Sequence, residues 1–159
     1  MALIETIKNK FSQSVAQEVA HDGMLTIVVE KSSLFEVMKF LKENDEIPFN
    51  QLLDLCGVDY IGREPRFEVV YHLYSLKKLA RIRVKVKVSE KEPAVHSVNA
   101  LWGAANWFER EAYDMFGITF ENHPNLKRLL MWEAFVGYPL RKDYPLEKRQ
   151  PIPELTDIV

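Results

Sequence analysis

The stretch FEVVYHLYSLKKLARIRVKVKVSE, Phe67–Glu90, decides the fold. Its two halves, FEVVYHLYS and LARIRVKVKVSE, are rich in β-branched and aromatic residues, and three residues, Leu76-Lys77-Lys78, join them. Two such runs across so short a connection predict an antiparallel hairpin. In the second run Ile82, Val84, Val86 and Val88 alternate with Arg81, Arg83, Lys85 and Lys87. Successive side chains of a strand point to opposite faces, so one face of the hairpin packs on a core and the other meets water.

Working toward the N-terminus, MLTIVVE (Met24–Glu30) reads as a further strand after the turn at His21-Asp22-Gly23. Leu3, Ile7 and Phe11 recur at four-residue spacing and predict a helix over Ala2–Val19. Ser33, with Glu36 three residues on, predicts a capped helix start, and Leu34, Val37, Met38 and Leu41 form its apolar stripe. Phe49–Val58 is ambiguous. Leu52, Leu53, Leu55 and Cys56 suggest a short helix stopped by Gly57.

Toward the C-terminus, a helix is expected over Asn99–Phe116. Leu101, Ala105, Phe108, Ala112, Met115 and Phe116 line one side, and Gly117 is the candidate cap. Beyond it periodicity fades. Pro139, Pro145, Pro151 and Pro153 impose an extended backbone. The expected organisation is α+β: an antiparallel sheet with helices packed on one face over residues 1–120, followed by an extended, partner-docking arm over 121–159.

With 159 residues, 47% of them apolar, the chain suits a single domain with a real core. A net charge of −2 argues against a general nucleic-acid binder. No apolar run approaches the ~20 residues that span a bilayer, and the N-terminus lacks a signal-peptide core, so membrane contact is expected only through partners. The six glycines are dispersed, with no phosphate-cradling loop. His21, His72, His96 and His123 are scattered and Cys56 is the only cysteine, which predicts no metal or cluster held by this chain.

Glu109, Glu111 and Asp114 could form an acid–base set, but on a helical wheel they diverge. Asp114 lies four residues from Arg110, the spacing of a surface ion pair. Glu109 borders the core stripe and needs a partner, for which Arg141 is a candidate. Trp107 falls among charges: it is either an interface anchor or a residue covered by the chain's own arm. The Arg81/Arg83/Lys85/Lys87 row reads as a solvated face with acidic cross-strand neighbours such as Glu68. An acidic partner is the second reading and nucleic acid the third. The arm's PLRKDYP mixes anchors, charges and rigid prolines, which suits docking to another surface.

Glu109-Arg110-Glu111, then Tyr113 through Ile118, Phe120, His123 through Arg128 with its His123-Pro124 pair, and Gly137 through Pro145 together closely resemble the 30 kDa-type (C-type) subunit family of NADH:quinone oxidoreductase (NDH-1), respiratory complex I. Leu53-Asp54, Val58-Asp59-Tyr60 and the hairpin strands look like that family's body. Gly103 departs from the family, which often has Pro after the Trp. The resemblance implies a non-catalytic subunit of the peripheral arm, on the cytoplasmic side of the bacterial inner membrane or the matrix side of an organelle. It implies no cofactor in this chain, with FMN and Fe–S clusters in partner subunits. The partners would be chiefly the D-type subunit that helps form the quinone site, with the cluster-bearing B- and I-type subunits nearby. The complex passes electrons from NADH through FMN and Fe–S clusters to quinone and translocates protons.

By the same resemblance, Glu109, Arg110 and Asp114 would fix the helix against the arm and the partner; Glu111 and Arg128 belong to the same motif, and Trp107 is counted with them as an interface residue. His123 and Pro124 would set the turn after the helix. Tyr138, Pro139, Leu140, Arg141, Lys142, Asp143, Tyr144 and Pro145 would lie across the neighbouring subunit. The alternatives are a homologous subunit of a ferredoxin-fed or hydrogenase-type membrane complex, a small enzyme using Glu109 and His123, and an adaptor with no redox context.

Overall fold

The structure, a computed structural model, describes residues 2–151, and the side chains of residues 4–151. Pro153 and the last residues of the expected arm lie outside that range, as does the Leu3 side chain.

The hairpin forms as expected. β4 (Phe67–Ser75) and β5 (Ala80–Val88) pair antiparallel from Phe67↔Val88 to Ser75↔Ala80. Leu79 ends the turn at φ 50°, so β5 begins one residue later than the pattern suggests. Five strands make the sheet, in the order β1 (Val15–Val19), β2 (Leu25–Val29), β5, β4 and β3 (Gln51–Asp59). β2 joins β5 in parallel, while the other neighbours are antiparallel.

Two segments expected to be helical are strands. α1 covers only Ala2–Lys10, and Val15–Val19 is β1, the edge partner of β2. Gln51–Asp59 is β3, paired along its length with β4. A register shift between Leu52 and Asp54 leaves Leu52 and Leu55 buried and turns Leu53 outward. A bulge of this kind breaks strict alternation, so the leucines mimic helical spacing.

Helix α2 (Leu34–Glu43) buries Leu34, Val37, Met38 and Leu41, as its stripe requires. The capping box does not form. Ser33 sits at φ −103°, ψ 0°, in the helical region, after a single tight turn over Lys31–Ser33. Its hydroxyl donates instead to the Ser14 hydroxyl at 2.9 Å. Asn44 ends α2 by accepting the N–H groups of Glu46 and Ile47.

Helix α3 runs over Ala105–Phe116, six residues shorter than expected at its start. Residues 98–104 form turns pinned by Trp102, whose indole N–H donates to Phe49 O at 3.2 Å. Gly117 caps α3 in the left-handed region, φ 72°, as anticipated. Short strands β6 (Ala94–His96) and β7 (Thr119–Glu121) pair in parallel at the two ends of this unit. One buried cluster unites the inner sheet face with Leu34, Val37, Met38 and Leu41 of α2 and Ala105 and Ala112 of α3.

On the other sheet face the middle of the basic row, Arg83 and Lys85, is neutralised by its neighbours. Lys85 meets Glu18 at 2.6 Å and Glu68 at 3.7 Å, and Arg83 meets Asp22 at 2.7 Å. Arg83 also donates to His72 Nε2, whose Nδ1 lies 3.6 Å from Asp54. The row is a cross-strand charge mosaic, as the first of its three readings anticipated.

Candidate functional site at the helix and arm

The residues that carry the family resemblance gather on α3 and on the chain that follows it. Asp114 is fully buried. Its Oδ1 meets Arg128 at 2.7 Å, and its Oδ2 accepts three consecutive backbone N–H groups, from Leu129 (3.0 Å), Leu130 (2.7 Å) and Met131 (2.8 Å). Successive amides curved around one anion form a nest. Burial pushes the Asp114 carboxyl up, but the Met131 amide, Arg128 and the Leu130 and Leu129 amides outweigh it and hold it below the usual range. The surface pair with Arg110 expected from spacing does not form. Arg110 donates to Lys127 O and Arg128 O, each at 3.0 Å, and so reinforces the same loop.

Arg128 extends the network into the arm. Its Nη2 donates to Phe135 O and Gly137 O, and its guanidinium lies 5.7 Å from the Phe135 ring and 5.5 Å from the Tyr138 ring. Arg141 continues the ladder, 4.6 Å from Tyr138 and 4.9 Å from Phe67. Its Nε donates to Phe116 O at 2.6 Å, a cation on the negative end of α3. Leu140 N–H bonds Met115 O. Tyr138 lies so close over Gly117 that a Cβ there would fall 2.5 Å from its ring. Only glycine satisfies both that contact and the positive φ.

The arm's far end is held by a residue no sequence pattern marked. Arg66 is 4% exposed and reaches three carboxylates. It grips Asp59 through two bonds of 2.8 Å, Asp143 through bonds of 2.8 and 3.0 Å, and Glu90 at 2.6 Å. Asp59 also accepts the Lys142 N–H at 2.8 Å. The Arg66 bonds hold both Asp59 and Asp143 below the usual carboxylate range, against the opposing effect of burial. They raise the guanidinium itself further beyond titration. Asp59 stands beside Tyr60 in the stretch that resembles the family's body; Arg66 immediately precedes β4, with no periodic or motif signal.

Glu109 is fully buried and its partner is not Arg141. Ser97 donates its hydroxyl at 2.6 Å and Val98 its N–H at 2.7 Å. His123 Nε2 lies 3.9 Å away. Glu109 and Asp114 therefore belong to separate networks on opposite flanks of α3, and exposed Glu111 belongs to neither. His123 does shape the turn after β7: its N–H bonds Phe120 O, its Nδ1 accepts Asn125 N–H at 3.0 Å, and Nε2 donates to Asn106 O at 3.1 Å. Pro124 beside it is exposed.

Trp107 remains 59% exposed and the described part of the arm does not cover it; Arg110 lies 5.0 Å from its ring. Tyr144 stacks near Phe135 at 5.9 Å, and its hydroxyl accepts Gln150 Nε2 at 2.7 Å. Pro139 is half-buried, whereas Pro145 and the Lys142 side chain are exposed. Outward-facing apolar residues follow the arm: Leu130, Val136, Leu140 and Leu146.

Fold and seam together define a five-stranded α+β domain with a C-terminal arm strapped across its last helix. The sequence profile of the respiratory-chain NADH dehydrogenase 30 Kd subunit matches residues 27–150, and the chain belongs to that family. It is 48% identical to the NADH-quinone oxidoreductase C subunit of Citrifermentans bemidjiense over 141 residues, 89% of this chain and 86% of that one. The C subunit of the Roseiflexus castenholzii enzyme is 52% identical over 124 residues, 78% of this chain and 71% of that one. Among solved structures, a trypsin-resistant fragment of Nqo5 superposes with TM-score 0.69 at 37% identity, covering 79% of this chain and all of the fragment. A chain of an archaeal respiratory membrane complex, the membrane-bound sulfane sulfur reductase, shares the fold (TM-score 0.74, 24% identity, 92% of this chain and 85% of that chain).

Proposed function

We propose that this chain is the docking 30 kDa-type subunit of a membrane-associated NADH–quinone oxidoreductase, seated in its peripheral arm without a catalytic role of its own. The observation that carries this reading is the split character of residues 126–146. Arg128, Asp143 and Arg141 are spent inward on Asp114, Arg66 and the end of α3, while Leu130, Val136, Leu140 and Leu146 face outward, and Trp107 on α3 is exposed as well. A segment pre-ordered by its own body loses little freedom on docking, and its apolar side chains gain from burial in a partner. The domain through residue 120 then serves as the platform and the chain from 121 as the contact.

The partners in this reading are chiefly the D-type subunit, with the B- and I-type subunits nearby. Together with the rest of the complex they hold the FMN-to-cluster path that carries electrons from NADH to quinone. This chain's single cysteine falls short of the about four thiolates a cluster takes. Among the described residues no helix is long and apolar enough to cross a membrane, so these partners would hold the chain on the cytoplasmic face of the inner membrane.

The test is affinity purification of the tagged full chain from detergent-solubilised membranes, with NADH:quinone activity assayed on the eluate. Co-purification of flavin- and cluster-bearing subunits with quinone reduction is the expected result. Recovery of hydrogenase or ferredoxin-linked subunits would assign the chain to a related machine. A chain recovered alone, or with soluble partners only, would overturn the reading.

A further inference from the structure

Glu109 is fully buried, and its ionic partners do not match its charge. The two donors to its carboxylate, Ser97 Oγ and Val98 N–H, are neutral. Among the described residues, no Lys or Arg lies within 4.0 Å of it. From the segment after β7 comes His123, but its ring nitrogens are engaged elsewhere. Nε2 donates to Asn106 O at 3.1 Å, and Nδ1 accepts Asn125 N–H at 3.0 Å. From β4 comes Tyr71, whose hydroxyl is buried and has no hydrogen-bond partner. The field of Glu109 adds to burial in pushing that phenol well above its usual range, so Tyr71 supplies no compensating charge. On its own helix, the nearest opposite charge, Arg110, is engaged with Lys127 O and Arg128 O.

We propose that Glu109 is a proton-linked clasp: it takes up one proton from solvent, and the neutral acid seats α3 more firmly against the Ser97–Val98 turn. On uptake the carboxylate becomes a carboxylic acid, with one oxygen gaining a hydrogen it can donate to Ser97 Oγ and the other still accepting Val98 N–H. No bond to the backbone is lost, and the uncompensated buried charge disappears. Burial pushes the carboxyl up to about 7, against the opposing Ser97 and Val98 hydrogen bonds. The same helix carries Asp114, on which the arm's loop is folded, so the clasp bears on the surface offered to a partner. The inference concerns the chain alone and stands whether or not the docking reading does.

The sign follows from linkage. A carboxyl raised in the folded state contributes stability that is present below its unfolded value and lost as pH rises through its folded one. With about 7 folded and 4.5 unfolded, the unfolding equilibrium constant should rise roughly 30-fold from this group between about pH 5.5 and 8.5. The experiment is urea unfolding of the full chain across that range, for the parent and for Glu109→Gln, with the carboxylic-acid infrared band of the folded chain recorded alongside. The expected result is a parent-minus-variant difference of that size and a protonated-carboxyl band that fades with a midpoint near neutrality and is absent from Glu109→Gln. Ser97→Ala removes a donor to the ionised form and should move the band's midpoint upward. Parallel pH profiles for parent and Glu109→Gln, or a band with no midpoint between pH 6 and 8, would overturn the proposal.

Discussion

Asp114 and Arg128 meet at 2.7 Å across the seam between α3 and the arm, and Asp114 has no exposed surface. The pair is the first link of a chain of contacts through Tyr138 and Arg141 to Phe67. Removing Arg128 leaves the fully buried Asp114 without its counter-charge, whereas removing Asp114 leaves the partly exposed Arg128 with its bonds to Phe135 O and Gly137 O. Asp114→Ala also frees the Leu129, Leu130 and Met131 amides and should destabilise the chain by about 3–5 kcal/mol. Urea unfolding of the variant checks this. A loss below about 1 kcal/mol would mean that the nest is wetter than the structure shows. Asp114 therefore serves the fold before it serves any partner, so Asp114→Ala is a poor probe of assembly alone.

At the other end of the arm, Arg66 and Asp143 should behave unequally. Arg66→Lys keeps a charge but cannot hold Asp59 and Asp143 with paired planar bonds. It leaves Asp59, whose side chain is fully buried, incompletely satisfied and should cost about 2 kcal/mol or more. Asp143 is half exposed, and Asp143→Ala leaves the Arg66–Asp59 pair in place, so its cost should stay within about 1 kcal/mol. Limited trypsin digestion separates the two effects. Asp143→Ala should speed cleavage at Arg141 and Lys142 with little change in global stability.

Gly117→Ala tests the close approach of arm and helix. The new methyl would meet the Tyr138 ring on a backbone at φ 72°. The expected cost exceeds about 1 kcal/mol, and cleavage within the arm should accelerate as Tyr138 is displaced. A thermal melt within error of the parent would show that Tyr138 moves aside freely.

The elements written in local periodicity were legible in the sequence. Ile82, Val84, Val86 and Val88 marked β5, Leu34, Val37, Met38 and Leu41 marked α2, and Gly117 marked the end of α3. What failed depended on distant residues. Gln51–Asp59 is a strand because β4 lies beside it, and Val15–Val19 because β2 does. The site follows the same division. Asp114, Arg128 and Tyr138 were found through the resemblance, yet spacing paired Asp114 with Arg110 and proximity to the core paired Glu109 with Arg141. Those partners lie on chain segments whose approach only folding defines. Arg66 had no signal, because its role exists only once Asp59, Glu90 and Asp143 converge on it.

Acid should release the arm before it unfolds the sheet. Asp59, Asp114 and Asp143 are all held below 3.8 by their donors. A carboxyl lowered in the folded state contributes stability that is present above its unfolded value and lost as pH falls through its folded one. Their contribution is therefore complete at neutral pH and fades below about pH 4, opposite in sign to that of Glu109. Tryptic cleavage of the arm cannot be followed there, so pepsin is the appropriate probe. Cuts after residue 126 should appear at a higher pH than cuts within β4 or β5. Simultaneous loss of both would show that arm and sheet unfold as one unit.

Trp107 separates docking from folding. It is 59% exposed and touches its own chain chiefly through Arg110, so Trp107→Ala should change stability by no more than about 0.5 kcal/mol. An aromatic anchor at an interface commonly costs about 2 kcal/mol or more on truncation, roughly 30-fold in affinity. Recovery of partner subunits with the tagged variant should fall accordingly while its unfolding curve overlays the parent's. Leu140→Asp, at an exposed position on the arm, should act in the same sense through a charge placed against an apolar surface. If both variants recover partners at the parental level, the contact lies elsewhere and the outward face of the arm is not the docking surface.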